Sequence, residues 1–167
     1  MHDELTKVDI QKMQEEIDYR IQKLRPQLIA DVQAARAFGD LSENYEYKVA
    51  KQEKNRNESR IRYLQNMIRT AKVISADSGA DVVGLFDTVV LFNEKLQKEQ
   101  TIRLVTTLRQ DALKGLISKE SPVGRALMGR RAGERVEVRV SPELSYGVRI
   151  LSIQKGQDDA SLEISRY

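Results

Sequence analysis

Two carboxylates in the middle of the chain have a type and spacing that could support chemistry. Asp40 and Glu43 stand three residues apart in the run GDLSEN, and Glu46 follows nearly one helical turn later. The chain has no Cys, and its single His is His2. Thiolate chemistry, zinc clusters and histidine relays are therefore excluded, which leaves carboxylates, Lys, Arg and hydroxyls. Paired carboxylates suit Mg²⁺, which leaves its other positions to water and phosphate oxygens.

The same two residues also have a purely structural interpretation. Asp-x-x-Glu at the start of a helix is typical of a capping box, in which Asp40 accepts from the backbone N–H of Glu43 and Glu43 reaches back. Carboxylates in a first turn are also stabilised by the helix dipole. The spacing alone leaves both interpretations open.

Two long helices are predicted to position this acidic run. Apolar residues recur every three or four positions between Lys7 and Phe38, and Pro26 predicts a kink over residues 21–25. Gly39 ends this helix, and a second helix is predicted from about Leu41 to Lys72. Together they form an antiparallel coiled-coil hairpin about 45 Å long, which makes residues 1–73 one domain with an acidic tip at residues 39–44. The predicted seam consists of Ile10, Met13, Ile17, Ile21, Leu24, Leu28, Val32 and Ala35 on the first helix and Tyr47, Ala50, Lys54, Asn57, Ile61, Leu64, Ile68 and Ala71 on the second.

Positive charge is concentrated just after the acidic run. Residues 47–73 hold eight Lys or Arg against two Glu, a balance of +6, whereas residues 1–46 hold six basic and ten acidic residues, a balance of −4. The candidate binding residues, called here the basic arm, are Lys48, Lys51, Lys54, Arg56 and Arg60. We expect them to attract nucleic acid or acidic protein walls in a salt-dependent way. Few aromatic residues alternate with them, which argues against base stacking. The alternative is a solvated helix surface with pairs such as Glu58 with Arg62.

The rest of the chain, residues 74–167, predicts a small α+β domain with an antiparallel sheet. Strand-like runs cover residues 82–92, 100–108, 135–140 and 146–153. The segment SPVGRALMG predicts one short helix with Ser121 as N-cap, Pro122 in the first turn and Gly129 past its end. Residues 154–167 are predicted either to add an edge strand at residues 162–164 or to be disordered.

The motifs AARAFGDLSENYEY and ISKESPVGRALMGRRAGERVEV, in this order, resemble the bacterial Gre factors, and the resemblance extends from about Asp9 to Ile153. It implies a transcription elongation factor whose hairpin enters the secondary channel of RNA polymerase and stimulates cleavage of backtracked nascent RNA at its 3′ end. Asp40 and Glu43 would then hold a Mg²⁺ shared with the polymerase active site and position the attacking water. The C-terminal domain would be FKBP-like and dock at the channel rim through Ser121 and Pro122.

This resemblance also implies a monomer that is not itself an enzyme, has no cofactor of its own and acts in the cytoplasm. A mean hydropathy of −0.52 and the lack of an apolar run of about 18 residues predict no membrane span, and the acidic start MHDELTK is unlike a secretory signal. Two alternatives stay open. One is a regulator that occupies the secondary channel without supporting cleavage, and the other is a structural coiled-coil adaptor in which the acidic pair only caps a helix.

Overall fold

The chain divides into two compact units. A computed structural model describes residues 3–39 and 44–166. One unit comprises residues 10–71, and the other comprises Asp3–Asp9 together with residues 72–166. Residues 3–9 were predicted to belong to the hairpin domain, but the two-residue strand β1 (Glu4–Leu5) pairs in parallel with β2 (Lys72–Val73). This backbone pairing attaches the start of the chain to the second unit.

The first unit is the predicted antiparallel helical hairpin. Its first arm contains α1 (Lys7–Tyr19), a π-helical turn (Arg20–Leu24) and α2 (Arg25–Arg36). Its second arm is α3 (Tyr45–Thr70), which begins four residues later than predicted.

Within the described part of the chain, no helix has both the length and the apolar character needed to cross a bilayer.

Pro26 disturbs the first arm where the sequence predicted a kink. A proline at position 26 has no N–H to donate, and its ring would crowd the carbonyl of Gln22 in a regular α-helix. The chain responds with a π-helical turn, in which the backbone N–H of Arg25 donates to the carbonyl of Arg20, five residues earlier. The wider turn gives the proline a place near the start of α2.

The hairpin seam is apolar at one end and polar in the middle. Every predicted seam residue is buried or half-buried, and Met13, Ile17, Ile61 and Leu64 are at most 3% exposed. In the middle, the buried Asn57 accepts a hydrogen bond from Nη1 of Arg20 at 2.9 Å. Its amide also donates to the Arg20 carbonyl at 3.3 Å. These two bonds favour the view that Asn57 sets the register of the helices.

The second unit is built on a curled five-stranded sheet. Its strands are β3 (Thr88–Asn93), β4 (Lys98–Val105), β5 (Leu116–Ser118), β6 (Arg135–Arg139) and β7 (Ser145–Gln154), in the spatial order β5-β4-β3-β7-β6. Alternate residues of β3 and β6 are buried, as expected for strands with one covered face. The short helix α4 (Pro122–Leu127) adds Leu127 to this core, and the predicted N-cap Ser121 is confirmed.

The sheet differs from the sequence prediction in two respects. Most neighbouring strands are antiparallel as predicted, but β5 pairs with β4 in parallel, so the sheet is mixed. With three residues, β5 is too short to show a recognisable alternation. The strand predicted over residues 82–92 begins only at Thr88, because residues 83–87 are buried on a loop whose Phe86 has a φ of 70°.

The C-terminal segment is neither an edge strand nor detached from the domain. Residues 155–166 have no regular secondary structure, yet the Lys155 ammonium and the Gly156 N–H both bond to the buried carboxylate of Asp87. Further along, Oγ of Ser165 donates to the carbonyl of Leu108 at 2.6 Å. The segment is fixed by polar contacts, which hydrophobic periodicity does not report.

A buried arginine joins both ends of the chain inside this second unit. Nε of Arg109 lies 2.5 Å from Oδ1 of Asp9, and Nη2 lies 2.6 Å from Oδ1 of Asp158. The Arg109 and Asp9 side chains are fully buried, and the guanidinium also lies 5.0 Å from the centre of the Phe86 ring. Two carboxylates from distant parts of the sequence therefore neutralise one buried cation.

Replacing this guanidinium should strongly destabilise the fold. In Arg109→Met the apolar stem is retained, but the Asp9 carboxylate is left buried without its cation, a change that costs about 3–5 kcal/mol. Urea unfolding at neutral pH measures this loss. The matched control is Asp111→Asn, since the exposed Asp111–Lys114 pair at 4.0 Å should contribute below about 0.5 kcal/mol. Similar stabilities for Arg109→Met and wild type would contradict this account.

Candidate functional site

The acidic pair belongs to the connection between the two arms of the hairpin. Asp40 and Glu43 lie outside the described residues, so their placement stays a prediction. In the chain they fall between Arg36, the last residue of α2, and Tyr45, the first residue of α3. Both ends of this connection are described and show how the sequence positions it.

Asn44, rather than Asp40, caps the second arm. Its Oδ1 accepts from the backbone N–H of Tyr47 at 2.9 Å, which is the standard N-cap bond. Its Nδ2 donates to the carbonyl of Ala35 at 2.7 Å, so one side chain both begins α3 and ties it to the end of α2. The capping-box alternative placed the N-cap of the second helix at Asp40, whereas the structure places it four residues later.

An aromatic ring with two cations lies next to this cap. The guanidinium of Arg36 lies 5.6 Å from the centre of the Tyr47 ring, and the ammonium of Lys51 lies 5.9 Å from it. Both distances are within cation–π range. Hydrogen bonding from Arg36 lowers the pKa of the Tyr47 phenol, and the charges of Lys51 and Lys54 act in the same direction. This cluster was not predicted from the sequence, although Tyr47 and Ala35, the neighbour of Arg36, were both predicted to lie on the seam.

Four residues of the basic arm have side chains at the surface. Lys48, Lys51 and Arg56 are exposed, while Lys54 is half-buried at its seam position. Arg56 pairs with Glu53 at 3.1 Å within the same helix. The surface of the basic arm therefore carries cations, but the Arg56–Glu53 pair balances part of their charge, as the solvated-surface alternative predicts.

The fifth residue of the basic arm, Arg60, lies inside the hairpin. Its side chain is 4% exposed, and Nε donates to a carboxylate oxygen of Glu16 at 2.8 Å. The same oxygen accepts from Nε of Arg20. The prediction that Arg60 faces a binding partner is therefore wrong, because its guanidinium is used between the helices. Likewise, Glu58 pairs with Arg25 across the hairpin in two bonds of 2.7 and 2.9 Å, and not with Arg62.

The Glu16–Arg60 pair should make hairpin stability depend on pH. Burial raises the pKa of Glu16, but hydrogen bonds from Arg60 and Arg20 outweigh it and hold the pKa below 4.5. The stabilisation is then complete above the unfolded-state pKa and is lost as the pH falls through the lower folded-state value. Glu16→Gln should lower the free energy of unfolding by about 2 kcal/mol at pH 7, and the difference should shrink below about pH 4.

Urea unfolding of wild type and variant across this pH range tests the pair. The control is Glu15→Gln, an exposed neighbour bonded to Gln11 on the same helix, for which we expect a change under about 0.5 kcal/mol. A difference between Glu16→Gln and wild type that stays constant with pH would show that the ion pair is not its source.

Ser121 and Pro122 have different roles in the second unit. Oγ of Ser121 accepts from the Gly124 N–H at 3.0 Å and donates to the Ser118 carbonyl at 2.7 Å, so its hydroxyl is occupied internally. Pro122 is exposed. It lines a shallow groove of about 490 Å³ whose charged side chains are Glu120, Arg125, Glu137 and Arg139. Of the two predicted docking residues, Pro122 is the more exposed, whereas Ser121 is half-buried.

The described residues contain no group of three or more His, Cys, Asp or Glu side chains arranged to hold a metal ion. The acidic pair itself, which lies outside the described residues, supplies two carboxylates. Such a donor set suits Mg²⁺, which commonly takes one or two protein carboxylates.

A helical hairpin followed in the chain by a curled sheet with one short helix defines a two-domain α+β protein. Comparison with known families shows which family has these two domains. The family model described as "Transcription elongation factor, N-terminal" matches residues 4–73, and that described as "Transcription elongation factor, GreA/GreB, C-term" matches residues 76–155. The chain belongs to the GreA/GreB family of transcription elongation factors. These matches agree with the resemblance seen in the sequence motifs.

Individual relatives match over most of their length. Transcription elongation factor GreA of Mesomycoplasma hyopneumoniae (strain 7448) is 38% identical over 149 residues, covering 89% of this chain and 92% of the relative. GreA of Bacillus subtilis (strain 168) is 39% identical over 143 residues, covering 86% and 90%. Among solved structures, GreA factor homolog 1 (Gfh1) of Thermus thermophilus is 23% identical with a TM-score of 0.42, covering 93% of this chain and all of that one.

Proposed function

We propose that this elongation factor inserts its hairpin into the secondary channel of RNA polymerase and stimulates cleavage of backtracked nascent RNA. The observation that carries the proposal is the position of Asp40 and Glu43 in the connection between two long helices, in a chain whose two halves both match the family. A hairpin with arms of about 30 residues reaches roughly 45 Å, enough to carry its connection into a narrow cleft.

In this proposal the acidic pair completes a cation site that neither protein holds alone. Mg²⁺ bound between carboxylates and polymerase ligands would lower the pKa of a coordinated water and stabilise charge on the phosphodiester oxygens. Asp40 and Glu43 contribute two anionic oxygen ligands and hold the attacking water on the factor's side. The factor thus acts in trans and has no active site of its own. The assignment of the α3 cap to Asn44 supports this role, because that helix end does not require either carboxylate.

The basic arm would guide the hairpin and hold displaced RNA. Lys48 and Lys51 follow the connection directly, and both are exposed. Their charges attract phosphate groups and lose strength as salt rises. The exposed Pro122 and the charged groove beside it are the proposed contact with the channel rim.

Removing the two charges of the acidic pair should abolish cleavage without unfolding the hairpin. Asp40→Asn with Glu43→Gln retains size and polarity but removes both anionic ligands. We expect transcript cleavage in a stalled polymerase complex to fall by a hundredfold or so, in the range typical of lost catalytic groups. Melting temperature and helicity should stay near wild type, because Asn44 provides the cap.

The control for this experiment is Asn44→Ala, which should cost about 1 kcal/mol of stability through loss of the cap. If the double variant melts like Asn44→Ala and still supports cleavage, the acidic pair has a capping role and the metal hypothesis fails. Binding of wild type to polymerase without any stimulated cleavage would instead support the non-cleaving regulator.

Neutralising the basic arm should weaken the factor in a salt-dependent way. Lys48→Gln with Lys51→Gln removes two cations, so the slope of log affinity against log salt should decrease by about one to two. The measurement is the factor concentration giving half-maximal cleavage at several salt concentrations. Arg69→Gln is the control, since this exposed cation lies on the same helix about 27 Å beyond Lys51. Equal salt slopes for the double variant and wild type would identify the arm as ordinary surface.

A further inference from the structure

Two exposed aromatic residues, Phe38 and Tyr45, stand on either side of the acidic pair in the sequence. Phe38 is 77% exposed and Tyr45 is 76% exposed, the highest values for any aromatic side chain in the described chain. Single exposed apolar residues need no explanation. Two such rings at one end of a hairpin do call for an explanation, because both leave a large apolar surface exposed to water at the same place.

The polar contacts at this end bring the two rings to the same region of the hairpin. Phe38 follows Ala35 by three residues, Tyr45 follows Asn44 directly, and the Asn44 amide is bonded to the Ala35 carbonyl at 2.7 Å. The ring of Tyr47 is half-buried and already contacts Arg36 and Lys51. It is therefore less open to a partner than the rings of Phe38 and Tyr45.

Cations accompany the exposed rings. Lys48 lies three residues after Tyr45, so both side chains fall on one face of α3, and both are exposed. Arg36 lies two residues before Phe38, next to the Tyr47 ring. Aromatic rings that stack on bases, combined with cations that contact phosphates, are the usual components of a site for single-stranded nucleic acid.

We propose that Phe38 and Tyr45 stack on the unpaired bases at the displaced 3′ end of the transcript and so hold it at the acidic pair. This inference rests on the proposed function and adds the ligand contact to it. It departs from the sequence-based expectation, in which few aromatic residues among the cations argued against stacking. That expectation considered the basic arm alone, whereas the rings lie at the start of the arm and across the connection.

RNA fits this surface better than a protein wall does. A protein partner that covered two rings would form an apolar contact, which favours further apolar side chains around them. Here the described neighbours are charged: Lys48 and Glu46 follow Tyr45 on α3, and Arg36 lies near Phe38 on the other arm. Positive charge beside exposed π faces is complementary to a strand that carries both phosphates and bases.

The test removes the aromatic rings from the factor and a base from the RNA transcript. Phe38→Leu with Tyr45→Leu retains apolar bulk but removes the aromatic faces, and Tyr45→Phe is the conservative control. The transcript in a backtracked polymerase complex carries either a normal or an abasic nucleotide at its displaced 3′ end. The measurement is the factor concentration that gives half-maximal cleavage.

We expect the abasic nucleotide to raise the half-maximal concentration of wild type roughly tenfold. The Leu double variant should be weakened to a similar extent with the normal transcript and show no further effect of the abasic one, whereas Tyr45→Phe should behave like wild type. If wild type responds equally to both transcripts, the inference is overturned. If the Leu double variant is weakened while wild type responds equally to both transcripts, the rings contact protein and not RNA.

A second readout separates this inference from the proposed function. A photoreactive base at the displaced 3′ end should crosslink to wild type and much less to the Leu double variant, whether or not cleavage follows. Crosslinking without stimulated cleavage would contradict the proposed function and support the stacking site. Cleavage without crosslinking would leave the proposed function standing and overturn the stacking site.

Discussion

The pairing of charges across the middle of the hairpin is the constraint on which the rest of the structure depends. A connection can be carried into another molecule only if the two helices keep their register over their whole length. Close to the Pro26 interruption, Glu16 accepts from Arg60 and Arg25 pairs with Glu58, so ionic and hydrogen-bonded contacts replace apolar packing there. Such contacts fix geometry because a slipped register would leave the buried Arg60 guanidinium without its carboxylate.

Much of the fold could be predicted from the sequence, and the misses share a physical cause. Hydrophobic periodicity predicted both arms of the hairpin, and every predicted seam residue is at least half-buried. The disruption near Pro26 was also predicted, since a missing N–H has a local consequence. Periodicity says nothing about a polar side chain that enters the interior, so Arg60 was assigned to the surface. For the same reason the C-terminal segment, held by bonds to Asp87 and Arg109, had no recognisable pattern.

The candidate site shows why spacing alone could not separate capping from metal binding. Asp-x-x-Glu fits a capping box, but Asn44 is an equally good cap and precedes Tyr47 by the same three residues. What distinguishes them is the second bond of Asn44, which reaches the Ala35 carbonyl on the other arm. A tertiary contact thus decides where the helix begins, and local propensity cannot report it.

This division of roles has a consequence for chemistry at the acidic connection. A carboxylate that caps a helix accepts hydrogen bonds from backbone N–H groups and has fewer lone pairs left for a cation. Because a neutral amide caps α3, the two acids of the connection can keep their charge for a ligand that another molecule completes. Two carboxylates bind Mg²⁺ weakly in water, where six water ligands compete. In the proposed complex this weakness is useful, since a factor that does not sequester the ion on its own would create the site only where polymerase and RNA supply the remaining ligands.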